Sequence, residues 1–181
     1  MNTLLQTERG EIRILPSQPR DWTAYRTMRL EALRNHPTAF GSSYEDNLLH
    51  EDGHWQQRVT TQDEREALYF AWHEGRLIGM TGIYRDLGRK QLHAAEVWGV
   101  YVKPEWRGLH IAEALIEACL DWARKKKVVI ARLGVAVDNL PALRCYERCG
   151  FTTTGVVQKA IFHDGQFVDE YLMSCLLDGS R

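Results

Sequence analysis

Residues 97–116, VWGVYVKPEWRGLHIAEALI, set a strand, a tight loop and a helix in immediate succession, and another apolar run follows at residues 128–137. The strand signal is Val97, Trp98, Val100, Tyr101 and Val102, β-branched or aromatic around Gly99 and stopped by Pro104. The helix signal is Ile111, Leu115, Ala118 and Cys119, which fall on one face at helical spacing, so residues 108–127 are predicted helical. The run at 128–137 is almost continuously apolar, as in a strand buried on both faces at a parallel position. Strand, long helix and strand make one βαβ unit, whose crossover is expected to be right-handed. The joint between the first strand and the helix is Arg107-Gly108-Leu109-His110-Ile111-Ala112. A helix start offers unpaired backbone N–H groups and the positive end of the dipole, a natural seat for phosphate. Gly108 permits close backbone approach there, and Arg107 adds a forked cationic donor.

The remaining elements group around this unit. Residues 11–15 alternate and stop at Pro16, as a short first strand. Asp21 is placed to cap a helix carrying Trp22, Tyr25, Met28, Ala32 and Leu33, ended by Pro37. A loop at residues 40–44 leads into a second helix over 44–60, interrupted or bent near Gly53. Residues 67–73 and 77–84 read as a hairpin about Glu74-Gly75-Arg76, and Asp86-Leu87-Gly88-Arg89 as a turn before the central strand, residues 92–102. A short helix at 139–149 closes at Gly150, and residues 151–162 and 167–177 form a last hairpin. The predicted fold is α/β: a mixed, mostly antiparallel sheet with a central parallel βαβ unit and helices on both faces.

A chain of 181 residues suits one domain, residues 1–181, and buries enough surface to need no staples. The formal net charge of -1 argues against a general nucleic-acid or anionic-membrane binder, while leaving room for a local polyphosphate site. No apolar run approaches a membrane span and no apolar signal core opens the chain, so a cytoplasmic protein is expected, monomer or homodimer. The four cysteines, Cys119, Cys145, Cys149 and Cys175, lie in apolar-patterned segments with no CxxC and no second ligand pair. They are read as reduced core residues.

Two segments carry a family resemblance. Val100-Tyr101-Val102-Lys103-Pro104-Glu105-Trp106-Arg107-Gly108 resembles the hallmark segment of the GNAT superfamily of acyl-CoA N-acyltransferases. Asp138-Asn139-Leu140-Pro141-Ala142-Leu143-Arg144-Cys145-Tyr146-Glu147-Arg148-Cys149-Gly150-Phe151 resembles the segment that follows the next strand in that family. Their order and separation fit, as does the closing strand with Asp169-Glu170-Tyr171-Leu172-Met173. The resemblance implies acetyl-CoA as cosubstrate, held in a cleft between the splayed ends of the two central strands, and acetyl transfer to a primary amine of a small molecule or peptide.

By the same resemblance the pantetheine arm pairs with backbone at Val100 and Val102, beside Tyr101, and the phosphate loop is Arg107, Gly108, Leu109, His110, Ile111 and Ala112. That loop departs from the family pattern at its middle glycine, here His110, whose Cβ obstructs the pyrophosphate if the site needs a positive φ. In an ordinary helical backbone His110 keeps the N–H and points to solvent. Asn139 and Ala142 match positions facing the pantetheine. Tyr146 matches the tyrosine whose phenol faces the thioester sulfur; read without the family, it is a core aromatic of an amphipathic helix.

The amine must lose a proton, so a base or a water chain is needed. Strict alternation puts Glu96 on the face of Leu92, Ala94, Trp98, Val100 and Val102, among apolar neighbours that raise a carboxyl pKa. The other reading of Glu96 is a structural carboxylate paired with an arginine, and a bulge in the strand alters the face. Ordered water, with His93 as a lesser candidate, stands behind it. Substrate choice is expected from residues 40–58, where Glu45, Asp46, Glu51 and Asp52 lean toward a cationic amine or simply form a solvated helix face. The basic run at residues 124–127 crowds a helix C-terminus, where cations suit the dipole.

Two rivals come from other classes. His50-Glu51-Asp52-Gly53-His54 is a literal H-E-x-x-H, the spacing of a zinc hydrolase on His50, Glu51 and His54, yet Asp-Gly interrupts the helix and no third ligand is evident. No metal is expected. The second rival is a catalytically inactive CoA-binding module.

Overall fold

The structure is a computed structural model and describes residues 3–60, 63–85 and 88–177. One mixed sheet runs through it in the order β1-β2-β3-β4-β5-β6-β8-β7, antiparallel at every pairing except β5 with β6. The strands are β1 (Thr3–Thr7), β2 (Gly10–Pro16), β3 (Glu66–His73), β4 (Arg76–Tyr84), β5 (Ala94–Val102), β6 (Ile130–Ala136), β7 (Thr152–His163) and β8 (Gln166–Leu176). The helices are α1 (Trp22–Asn35), α2 (Tyr44–Leu48), α3 (Asp52–Thr60), α4 (Ile111–Lys125) and α5 (Leu140–Arg148). The βαβ unit of β5, α4 and β6 sits at the centre, as its apolar runs require.

The sheet starts one strand earlier than the alternation at residues 11–15 suggests, because β1 pairs with β2 through a tight turn at Thr7–Gly10. The helix expected over 44–60 is two helices, broken at residues 49–51, ahead of Gly53. Asp21 stands at the N-cap position of α1, but its carboxylate accepts from Gln18 N–H at 2.8 Å and so closes the preceding turn, not the helix. Helix α4 begins at Ile111, three residues later than predicted, since the chain from Pro104 to Trp106 forms a 3-10 turn and residues 107–110 a loop. Of the turn expected at 86–89, positions 86 and 87 lie outside the described residues.

Two apolar layers cover the two faces. On one, Ile111, Leu115, Ala118 and Cys119 of α4 are all buried against Ile78, Ala95, Val97, Val102, Ala131, Leu133 and Val135. On the other, Tyr25, Met28 and Ala32 of α1 pack with Trp55 and Val59 of α3 on Leu68, Phe70, Met80 and Tyr101. Each of the larger aliphatic or Phe and Met side chains among them contributes roughly 1.5–3 kcal/mol when taken from water, before entropy is counted. Two members of the basic run at the end of α4 make ion pairs: Arg124 binds Glu117 and Asp121, and Lys126 binds Glu64. Among the described residues no helix is long and apolar enough to cross a membrane.

Candidate active site

Strands β5 and β6 pair only over Ala94–Glu96 and Ile130–Arg132. Beyond that, β5 stays bonded to β4 as far as Val102, and β6 to β8 as far as Ala136, so the two strands part and leave a V-shaped gap. Backbone groups on the open edge of β5 lose their partner there, which is costly unless a ligand or water supplies one. The gap is a cleft of about 360 Å³.

A bulge shapes its wall. Thr81 of β4 alone opposes Gly99 and Val100, the register shifting between Met80↔Tyr101 and Gly82↔Trp98. Gly99 takes φ 66°, a left-handed conformation that favours glycine, and the Thr81 hydroxyl donates to Trp98 O at 3.3 Å. The extra residue changes which side chains share a face. Trp98 and Tyr101 now both face α1, while Val97 and Val102 face α4.

This corrects the setting expected for Glu96. Its carboxylate is exposed and accepts from the Tyr84 hydroxyl at 2.6 Å, and it does not line the cleft. Alternation carried unbroken through residue 99 placed it among Val100 and Val102; the bulge ends that alternation, and no apolar burial acts on the carboxylate. No arginine pairs with it among the described residues.

Of the residues predicted to hold the cofactor, Val100, Tyr101, Val102, Arg107, Gly108, His110, Ile111, Ala112, Asn139, Ala142 and Tyr146 all line the cleft, and Leu109 does not. The Asn139 side chain caps α5 by accepting from Ala142 N–H at 3.3 Å. Arg107 turns back across the end of β5: its Nε donates to Val102 O at 3.1 Å and its Nη2 lies 3.0 Å from His36 Nε2. Burial, with the Arg107 charge adding to it, holds the His36 pKa below its ordinary value and favours the neutral ring that can accept from Arg107.

At the start of α4 the first intrahelical bond is Ala114 N–H to His110 O, so the N–H groups of residues 111–113, which line the cleft, have no helical acceptor, and that of Glu113 is taken by its own carboxylate. His110, the residue standing where the family pattern has glycine, adopts φ 58° and ψ 22°. The backbone there is left-handed, not the ordinary helix in which His110 would simply follow the first turn, and a side chain is carried in spite of it. Its ring is largely exposed and its Nδ1 lies 3.0 Å from Glu113, which also holds Arg148 at 2.6 Å. A left-handed conformation costs an L-residue about 1–2 kcal/mol. His110→Gly is accordingly expected to be more stable than His110→Ala by about 1 kcal/mol in urea unfolding. Its acetyl-CoA affinity, measured by calorimetric titration, is expected to stay within a few-fold of the parent.

Tyr146 is buried with its ring edge-on to Phe151 at 6.2 Å, and its phenol makes no hydrogen bond among the described residues. Burial, with Cys145 and Cys149 adding, pushes its pKa up, so it remains a protonated donor. Tyr101 also lines the cleft, but its hydroxyl is engaged by Glu31 at 3.0 Å; burial and then that bond push its pKa up to about 12.

Sequence periodicity gave no reason to single out Glu170 on β8. It is half-buried, with Oε2 3.2 Å from where a Cβ on the cleft residue Gly134 would stand. Burial raises its pKa above the ordinary carboxylate value. The four acidic residues of 40–58 are exposed on α2, α3 and the link between them. His50 and His54 stack face to face at 3.8 Å, with His50 outside both helices, so the spacing does not place two ligands on one helix face. Among the described residues no three metal-ligating side chains gather. All four cysteines are free thiols.

Comparison with known proteins supplies the frame for this geometry. L-amino acid N-acetyltransferase AaaT of Escherichia coli (strain K12) is 28% identical over 170 residues, covering 91% of this chain and 98% of that one. The fold matches a crystal structure of a GNAT-family acetyltransferase from Streptococcus pneumoniae at TM-score 0.80 and 19% identity, over 92% of this chain and 99% of that one. It also matches yncA of Salmonella typhimurium, solved with its cofactor acetyl-CoA, at TM-score 0.77 and 18% identity, over 94% and 96% of the two chains. The model of the Acetyltransferase (GNAT) family spans residues 26–151, which takes in most of α1, the bulged strand, the phosphate loop and α5. The parted strands and both motifs thus fall within one matched region, and the chain belongs to the GNAT acetyltransferase family, enzymes that use acetyl-CoA.

Proposed function

We propose that the protein, one domain over residues 1–181 and cytoplasmic, transfers the acetyl group of acetyl-CoA to a primary amine of a small molecule or peptide by direct attack on the thioester. The observation that carries this reading is the gap between β5 and β6, where open backbone groups, a helix start and a free phenol line one cleft. The residues fit the cosubstrate: the edge of β5 at Val100 and Val102 faces the gap and, with Val102 O already accepting from Arg107, offers its other backbone groups to an amide-bearing arm, and the N–H groups of residues 111 and 112 suit phosphate. Bound acetyl-CoA supplies a thioester that a neutral amine attacks without a covalent enzyme intermediate. The chain's own part is to hold, polarise and move protons. Backbone N–H groups at the bulge polarise the carbonyl. Tyr146 donates to the departing sulfur. Glu170, not Glu96, takes the proton of the amine, directly or through one water, because it is the carboxylate beside the cleft wall whose pKa burial raises.

The test is turnover of acetyl-CoA, read as free thiol, against peptide N-termini, lysine, polyamines, amino acids and aminated drugs. Thiol release dependent on at least one primary amine is expected. Tight binding of acetyl-CoA with no turnover of any amine would return the chain to the inactive binding module, and absence of binding would remove the reading altogether.

A further inference from the structure

A buried cation sits against the cleft wall, and its Nη1 has no hydrogen-bond partner among the described residues. Arg29 lies in the middle of α1, on the face that also buries Tyr25, Met28 and Ala32, and is 7% exposed. Its guanidinium sits 4.9 Å over the Phe40 ring and 6.0 Å from that of Trp98. Its Nη1 lies 3.6 Å from the point where a Cβ on Gly99 would stand. Phe40, Trp98 and Gly99 all line the cleft, so Arg29 is held against the wall at the bulge itself.

Nη1 is buried without a hydrogen-bond partner, and among the described residues no carboxylate pairs with Arg29. The charged group nearest it in effect is Arg58, a second cation, stacked on Trp98 at 4.6 Å and 3.6 Å from Glu66. Burial, with Arg58 adding and Tyr25 opposing, lowers the Arg29 pKa, but a guanidinium remains charged in proteins. An unpaired buried cation is costly, and truncation to an apolar residue would remove the cost. Its presence is accounted for by an anionic group that arrives with the substrate.

We propose, on the reading above, that the acceptor is an α-amino acid and that Arg29 binds its carboxylate beside the bulge. The geometry suits that class because the carboxylate of an α-amino acid is one carbon removed from the reacting nitrogen, so a cation at Gly99 holds the amine next to the thioester position. A polyamine meets repulsion from Arg29 and Arg58, and a peptide N-terminus offers a neutral amide in place of the carboxylate. The exposed acidic residues on α2 and α3 are set in solvent, where charge is screened, and weigh little against a buried cation.

The experiment compares α-amino acids with their matching α-carboxamides and decarboxylated amines in the thiol-release assay. For the parent protein kcat/KM is expected to favour the amino acid 10- to 100-fold, the range for a hydrogen bond to a charged group, chiefly through KM. Arg29→Gln is expected to bring that ratio to within about threefold of one, and Arg29→Lys to restore part of it, with acetyl-CoA affinity by calorimetric titration retained. A parent ratio near one with good amine turnover overturns the proposal while leaving the acetyltransferase reading intact. So does a preference that survives Arg29→Gln. If Arg29→Gln does not fold, the parent ratio decides alone. Failure to bind acetyl-CoA removes both, and is seen separately in the titration.

Discussion

Tyr146→Phe is expected to lower kcat by roughly 10²–10⁴-fold, the range for a positioned general acid, with acetyl-CoA affinity little changed. The substitution keeps the ring, and so its edge contact with Phe151 and its place in the core beneath α5, while deleting only a hydroxyl that makes no hydrogen bond among the described residues. Departure of a thiolate is helped by a donor that is still protonated at neutral pH, and burial pushes the Tyr146 pKa up, in the direction that keeps it so. Tyr101 serves as the internal control. Its hydroxyl is occupied by Glu31, so Tyr101→Phe is expected to leave kcat within a few-fold. Steady-state kinetics with titration of acetyl-CoA separates the outcomes. Lost cofactor binding or unfolding makes Tyr146 a packing residue, and an unchanged kcat means that water protonates the leaving group.

Glu170→Gln is expected to reduce kcat/KM by about 10²-fold at neutral pH, at the low end of general-base contributions, while Glu96→Gln stays near the parent. The two carboxylates differ in surroundings. Glu170 leans on the backbone at Gly134, where no side chain intervenes, and burial raises its pKa; Glu96 is exposed and bonded to Tyr84. The sign follows directly. A base with a raised pKa loses its working form as pH falls through that value, so the acid limb of kcat/KM should lie above the range of an ordinary carboxylate. Glu170→Gln should remove that limb, and Glu96→Gln should leave it in place. The reverse pattern in the two pH profiles would restore Glu96, and a limb unaffected by either substitution would assign the proton to water.

The bulge in β7 bears on the same point. Asp169 opposes the extra residues 158–160, and its Oδ1 accepts from Lys159 N–H at 2.7 Å, which occupies that carboxylate in holding the strand. Among the described residues its neighbour Glu170 has no such tie, and it is the one set beside the cleft wall at Gly134. The proposed division of tasks between these adjacent acids follows from alternation, which points them to opposite faces.

Periodicity along the chain determined a good deal of this molecule. The spacing of Ile111, Leu115, Ala118 and Cys119 set the buried face of α4, and the apolar run after it required a strand covered on both sides; both are local patterns of period 3.6 and 2, which sequence reports directly. Eleven of the twelve residues that the family resemblance marked for the cofactor line the cleft, the position from which the proposed binding role is argued. What tertiary structure alone decided were the places where a period is interrupted or a partner comes from afar. The bulge at Gly99 depends on how β5 registers against Thr81, some eighteen residues upstream, and one inserted residue moved Glu96 out of the reasoning that favoured it. The sign of φ at His110 depends on how the loop meets α4, which a side-chain sequence does not encode. Arg29 reads in isolation as one more arginine on a helix, and Glu170 as one more acid in a strand. Their burial comes from Phe40, Trp98 and Gly134, residues brought to them by the fold, and burial is what gives a charged group its chemistry.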